Sequence, residues 1–202
     1  MNKEKIIIIS SPSGAGKTTI CKKILKKNKK INISISYTTR QIRKGERDGV
    51  DYFFIDKKKF IDLKNIDFFI ETAKVFDNYY GSPIINIKKA FNKNKHILFD
   101  IDWQGAKRLR KKFNKRDIVD FFILPPSKTE LKKRLIIRGR DNKIEIKKRL
   151  SLAVKEISHY KEYKYILVND TINKTVSDIL KIIKYEEILS KNKKKVKTMK
   201  IV

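Results

Sequence analysis

Cysteine occurs once in the 202 residues, at Cys21, and histidine twice. One thiol makes no internal disulfide, and two scattered histidines beside it give no zinc-site spacing. No apolar run approaches the roughly 18 residues a membrane helix needs; the opening stretch, Ile6-Ile-Ile-Ile9, is far shorter. That brevity also makes the N-terminus a poor secretory signal. With seven glycines, four prolines and no internal repeats, the chain reads as one domain of ordinary size carrying a small inserted or mobile lobe. These absences point to a cytoplasmic globular protein with no membrane contact and no metal cage. Its 40% hydrophobic residues are enough for a packed core.

Acidic residues are scarce too: 22 against 51 basic ones, for a formal charge of +29. Such a surplus raises the question of nucleic acid, whose phosphates bind polycations by counterion release. Arginine, however, supplies only 10 of the 51. Lysine, asparagine and isoleucine all have A/T-rich codons, so base bias accounts for the excess. Lysines such as Lys22, Lys23, Lys88, Lys89, Lys132 and Lys133 are spread along every segment, and no aromatic-and-arginine platform accompanies them. Nucleic acid is not the expected partner; a homo-oligomer is left open. The Lys-dense end from Ser190 to Lys200 shows no periodicity and is expected to fray.

The pattern alternates strands with helices. Strand character marks residues 5–9, 33–37, 52–55, 97–101, 118–124 and 165–168; helical periodicity follows Gly16 and fills 84–92, 104–113, 128–137, 144–160 and 176–189. This predicts an α/β fold with a mainly parallel core sheet. Residues 34–94 differ, with several aromatics, polar turns and less helix, and read as an inserted lobe.

Where the first strand hands over to a helix stands Ser11-Pro-Ser-Gly-Ala-Gly-Lys-Thr18. It fits the P-loop pattern except for Ser11 at the first glycine position. Small residues such as Ser13, Gly14, Ala15 and Gly16 let backbone N–H groups form an anion nest, and Pro12, which has no N–H, stands with Ser11 at its entry. The helix behind adds its N-terminal N–H groups. Lys17 brings a mobile charge to the outer phosphates and Thr18 a hydroxyl for Mg²⁺; Ser11 through Thr19 are the expected ATP-binding residues. The bland alternative is a turn with a capping threonine, which the strand–loop–helix context disfavours. Ser11 costs something only if its φ must be positive.

The following run is more specific: Ser36-Tyr-Thr-Thr-Arg40-Gln-Ile-Arg43-Lys-Gly45-Glu46-Arg-Asp-Gly49-Val-Asp51-Tyr52. With the phosphate loop, and with Phe69-Ile-Glu71, Asn78-Tyr-Tyr80-Gly81-Ser82, Asp100-Ile-Asp102-Trp-Gln104-Gly105, Pro125-Pro-Ser127, Arg134-Leu-Ile-Ile-Arg138-Gly139 and Val168-Asn169-Asp170, it resembles the guanylate kinase family. The resemblance covers about residues 5–185. It implies a P-loop core at 1–33, 95–125 and 151–190, a GMP-binding lobe at 34–94, a helical lid at 126–150 and a tail at 191–202.

It also implies the reaction, transfer of the ATP γ-phosphoryl to GMP, with Mg²⁺. Arg40 and Arg43 offer planar forks that grip a monophosphate in a way lysine cannot, and Tyr52 and Tyr80 can add hydroxyl donors. Each tyrosine serves equally as aromatic packing. Glu71 can accept from guanine N1–H and the 2-amino group, a polar recognition able to discriminate by ~10⁴. Ser36 and Ser82 resemble the family's hydroxyl contacts to the base. Asp100 and Asp102 are expected on one strand face, Asp100 holding Mg²⁺ through water and Asp102 serving the GMP side. Asn169 resembles a contact to adenine. Arg134, Arg138 and Arg149 resemble lid cations over the transferred group, against the plainer reading of a surface paired with Glu130, Asp141 and Glu145. Two competitors remain: a kinase for another nucleoside monophosphate, and a non-catalytic interaction module of the same fold. The second tends to lose the loop lysine, which is present here.

Overall fold

The computed structural model describes residues 4–75, 77–137 and 143–198. Its centre is β1 (Ile6–Ser10), where all five residues are buried. Because strand side chains alternate, its four isoleucines feed two cores. Ile6 and Ile8 pack with Ala90, Phe99, Ala106 and Leu109. Ile7 and Ile9 pack with Ile20, Ile24, Val176 and Ile179. Burying a side chain of this size contributes about 1.5–3 kcal/mol, so an unbroken isoleucine run marks a strand covered on both faces.

The remaining core strands are β2 (Ile31–Ile33), β7 (His96–Asp100), β8 (Ile118–Leu124) and β9 (Tyr165–Val168), in the order β2-β7-β1-β8-β9. Every pairing among them is parallel. One side carries α1 (Lys17–Lys27) and α7 (Ile172–Thr198); the other carries α3 (Ile85–Phe91) and α4 (Trp103–Lys112). The result is a three-layer α/β/α sandwich, as the alternating pattern predicts.

Between β2 and α3 the chain builds a second sheet from β3 (Tyr37–Thr38), β4 (Phe53–Phe54), β5 (Phe69–Val75) and β6 (Asn78–Pro83), ordered β4-β3-β6-β5. An aromatic core holds it: Tyr37 stacks on Phe53 at 4.7 Å, and Phe60 on Phe69 at 4.7 Å. Here the sequence expectations need correction. The single strand at 33–37 is two strands in different sheets, because the polar Ser34 and Ser36 turn the chain from core to lobe. The helix α2 (Lys57–Asn65) was not anticipated. It buries only Phe60, so it has almost no apolar periodicity, and Asp56 caps it by accepting from Lys59 N–H at 2.7 Å.

Two further helices, α5 (Lys128–Ile137) and α6 (Lys143–Ile157), pair through Leu131, Leu135, Leu150 and Ala153. The C-terminal helix does not stop near residue 189; α7 continues to Thr198, which corrects the expectation of a frayed end from Ser190. The same-face reading of Asp100 and Asp102 is also corrected. β7 ends at Asp100, and Asp102 leaves the strand to cap α4, accepting from Gly105 N–H at 3.0 Å.

Candidate active site

The carboxyl ends of β1 and β7 open into a cleft of about 720 Å³ that runs to the lobe sheet. Its phosphate-loop end follows from local backbone. Gly14 and Gly16 have φ of 90° and 94°, a left-handed conformation that costs a side-chain-bearing residue about 1–2 kcal/mol. Ser11 needs no such conformation; among the described residues the non-glycines at positive φ are Asp67, Asp77 and Asn94. Gly16 is the N-cap of α1, and no side chain caps that helix, which leaves its first N–H groups to an anion.

Lys17 leads the helix. Its Nζ lies 2.8 Å from Asp100 Oδ1 and donates to the Ile101 carbonyl at 3.0 Å. Burial works against its charge, but the field and hydrogen bond of Asp100 outweigh it, so the ammonium is held above its ordinary pKa. The Thr18 hydroxyl reaches Asp100 Oδ2 at 3.4 Å. Asn169, at the end of β9, is buried beneath the loop: Nδ2 donates to the Ala15 carbonyl at 2.8 Å and Oδ1 accepts from the Thr175 hydroxyl at 3.0 Å.

Across the cleft Arg40 is braced. Its Nη2 donates to both oxygens of Glu46 at 2.9 and 3.0 Å, and its guanidinium lies 5.5 Å from the Tyr52 ring centre. Glu46 also accepts from Arg43 N–H at 2.9 Å, so one carboxylate organises both arginine positions. Tyr52 meets Tyr80 edge-on at 6.0 Å; burial, with Asp100 adding, pushes the Tyr52 phenol up.

Deeper in the lobe, the β5–β6 register sets Glu71 beside Ser82. The Ser82 hydroxyl donates to Glu71 Oε1 at 2.6 Å and lies 3.0 Å from the Ser36 hydroxyl. Burial pushes the Glu71 carboxyl up to about 7, against the pull of the Ser82 hydroxyl. A buried acceptor beside hydroxyls, with Ala73 and Val75 lining the same cleft, suits a planar base bearing adjacent N–H donors.

The expected site residues therefore converge: Lys17, Thr18, Ser36, Arg40, Arg43, Tyr52, Glu71, Tyr80, Asp100, Asp102, Arg134 and Arg149 all line one cleft with Ser11, Pro12, Ser13, Gly14, Gly16 and Thr19. Ala15, Ser82 and Asn169 stand behind its wall. Arg134 donates to Glu130 at 2.8 Å and to the Asn169 carbonyl at 3.3 Å. Arg138, with Gly139, Asp141 and the Glu145 side chain, lies outside the described residues.

The family model for guanylate kinase matches residues 3–186. The chain belongs to the guanylate kinase family. A guanylate kinase of Rhodospirillum rubrum is 43% identical over 91% of this chain and 84% of its own length. One from Rickettsia felis is 45% identical over 90% of this chain and 94% of its own. The solved guanylate kinase of Anaplasma phagocytophilum, 36% identical, superposes with a TM-score of 0.76 over 91% of this chain and 86% of that one. The reaction of guanylate kinase is phosphorylation of GMP to GDP by ATP. No described helix is long and apolar enough to cross a membrane.

Three residues of this guanylate kinase site were missed in the sequence. Glu46 was legible only as part of a motif. Gly105 is needed because a methyl there would stand 2.6 Å from Glu71 Oε2. Glu156, on α6, accepts from Ser13 N–H at 2.9 Å; on a lysine-rich helix it looks like an ordinary surface carboxylate.

Proposed function

We propose that this chain performs its family's reaction with ATP seated on residues 11–18 and GMP held in the 34–94 lobe. The observation that carries the assignment is the shared cleft, in which Lys17 and Thr18 face Arg40, Arg43 and Glu71. Arg40, Arg43, Tyr52 and Tyr80 hold the GMP phosphate. Glu71, backed by Ser82 and Ser36, takes the guanine edge. Asp102 orients that side through the start of α4. No general base is needed, because the acceptor oxygen is an anionic phosphate; catalysis is alignment and neutralisation of charge. Lys17, Arg134 and Arg149 supply the cations, with Arg138 assigned to the same task, and residues 126–150 close as a lid that excludes water.

Thr18 and Asp100 present hard oxygen donors side by side, which suits Mg²⁺, an ion that keeps several waters and leans on substrate phosphates. Thr18 would bind it directly and Asp100 through water; bound there, it neutralises phosphate charge. Asn169, expected to contact adenine, is instead buried with its carboxamide engaged by the Ala15 carbonyl and the Thr175 hydroxyl, and acts on ATP by fixing the loop. Both substrates belong to the soluble nucleotide pool, and we assign the enzyme to the cytoplasm.

The test is ADP formation from ATP and Mg²⁺ with GMP, AMP, UMP, dTMP or no acceptor. Turnover with GMP alone is expected. Turnover with another nucleotide overturns the guanine contacts, and no turnover in protein that binds GMP favours an interaction module.

A further inference from the structure

The Glu156 carboxylate reaches from α6 into the phosphate loop across 143 residues of sequence, Oε2 accepting from Ser13 N–H at 2.9 Å. It is partly buried and lines the cleft. Burial raises its pKa, while the Ser13 amide and Lys17 favour the charged form and Asp102 opposes it. An anionic oxygen on a P-loop amide, in the field of the loop lysine, has the chemistry of a phosphate oxygen. Glu156 and an incoming triphosphate call on the same donors. The helix that carries Glu156 also carries Arg149 seven residues earlier, about two turns away on the same face, and Arg149 lines the cleft too.

We propose that Glu156 is a displaceable counter-anion of the phosphate loop: a positioning residue that ties α6 to Ser13 until a phosphate of ATP takes that amide, so that arrival of the triphosphate frees the helix bearing Arg149. The inference rests on the assignment of residues 11–18 to ATP. A built-in reporter stands close by. Trp103, the one tryptophan of the chain, stacks on His159 with ring centres 3.7 Å apart and planes 7° from parallel. His159 lies two residues beyond the end of α6, in the turn that follows it, so release of the helix disturbs that stack.

The experiment is calorimetric titration of the full chain with a non-hydrolysable ATP analogue and Mg²⁺, and separately with GMP, in wild type, Glu156→Gln and Glu156→Ala. Glutamine keeps an acceptor for Ser13 N–H and loses the charge. The analogue should bind Glu156→Gln about fivefold more tightly, the effect of removing repulsion between unit charges about 4 Å apart in a water-like medium. KM for ATP should fall with it, while GMP affinity and KM for GMP stay put. Trp103 emission should shift when wild type takes up the analogue, and nucleotide-free Glu156→Ala should already show part of that shift. Unchanged or weaker analogue binding by Glu156→Gln overturns the proposal, as does an emission spectrum insensitive to both analogue and Glu156→Ala. Wild type that binds GMP but not the analogue overturns the loop assignment and the proposal with it.

Discussion

Asn169 Nδ2 donates to the Ala15 carbonyl at 2.8 Å, joining the end of the last core strand to the phosphate loop across 154 residues. The same nitrogen is a second reason, besides the positive φ there, that position 16 lacks a side chain, since a methyl on Gly16 would stand 2.9 Å from it. The loop is thus held from below by a buried carboxamide. Asn169→Ala removes this partner from a buried carbonyl, at a cost of about 1–3 kcal/mol. Tm should fall by about 2–4 °C per kcal/mol lost. KM for ATP should rise and KM for GMP should not; steady-state kinetics with each substrate varied in turn checks both.

Gly105 tests the other end of the cleft. A methyl there would meet Glu71 Oε2 at 2.6 Å, and Glu71 is too well packed between β6 and α4 to yield freely. Gly105→Ala should therefore raise KM for GMP by about tenfold, the scale of one misplaced charge-assisted hydrogen bond, with KM for ATP nearly unchanged. Equal effects on both substrates would mean that α4 itself had shifted.

How far the sequence foretold this site depends on how local each signal is. The stretches 118–124, 165–168 and 128–137 were legible to the residue, because apolar runs bounded by turns or prolines leave little choice of register. α2 was not, since one buried phenylalanine in nine residues carries no periodicity. Lys17, Arg40 and Glu71 could be read from ordered motifs. Glu156, Glu46 and Gly105 could not be given roles, because each acts through a partner that only the fold brings near: Ser13, Arg40 and Glu71. Asp102 failed differently. The alternation rule held only as far as β7 ran: the strand ends at Asp100, and after Ile101 the second carboxylate, Asp102, is itself the N-cap of α4.

Glu46 braces Arg40 with two contacts from Nη2 and fixes the loop through Arg43 N–H. Glu46→Gln keeps one acceptor and loses the charge, and hydrogen bonds to charged groups contribute about 1.5–3 kcal/mol. The guanidinium is then less well aimed at the GMP phosphate. KM for GMP should rise by about tenfold or more. Guanosine binding, which makes no use of the phosphate grip, should be unaffected in a competition assay.

The Glu71 carboxyl titrates at about 7 because burial disfavours its charge. Accepting from guanine N1–H and the 2-amino group needs the ionised form. Above pH 7 that form is already present, so KM for GMP should be flat there. Below pH 7 binding must first expel a proton, so KM should climb toward tenfold per pH unit as pH falls. The GMP phosphate also titrates in this range, and Glu71→Gln separates the two. It keeps the phosphate's pH dependence, loses the carboxyl's, and should bind GMP about 10-fold or more weakly at pH 8. KM for GMP measured from pH 5.5 to 8.5 (about three units, to span the transition) in both proteins gives the difference curve. A midpoint near 7 in that curve is the expected result; parallel profiles would show that Glu71 is ionised throughout and that its burial does not govern GMP binding.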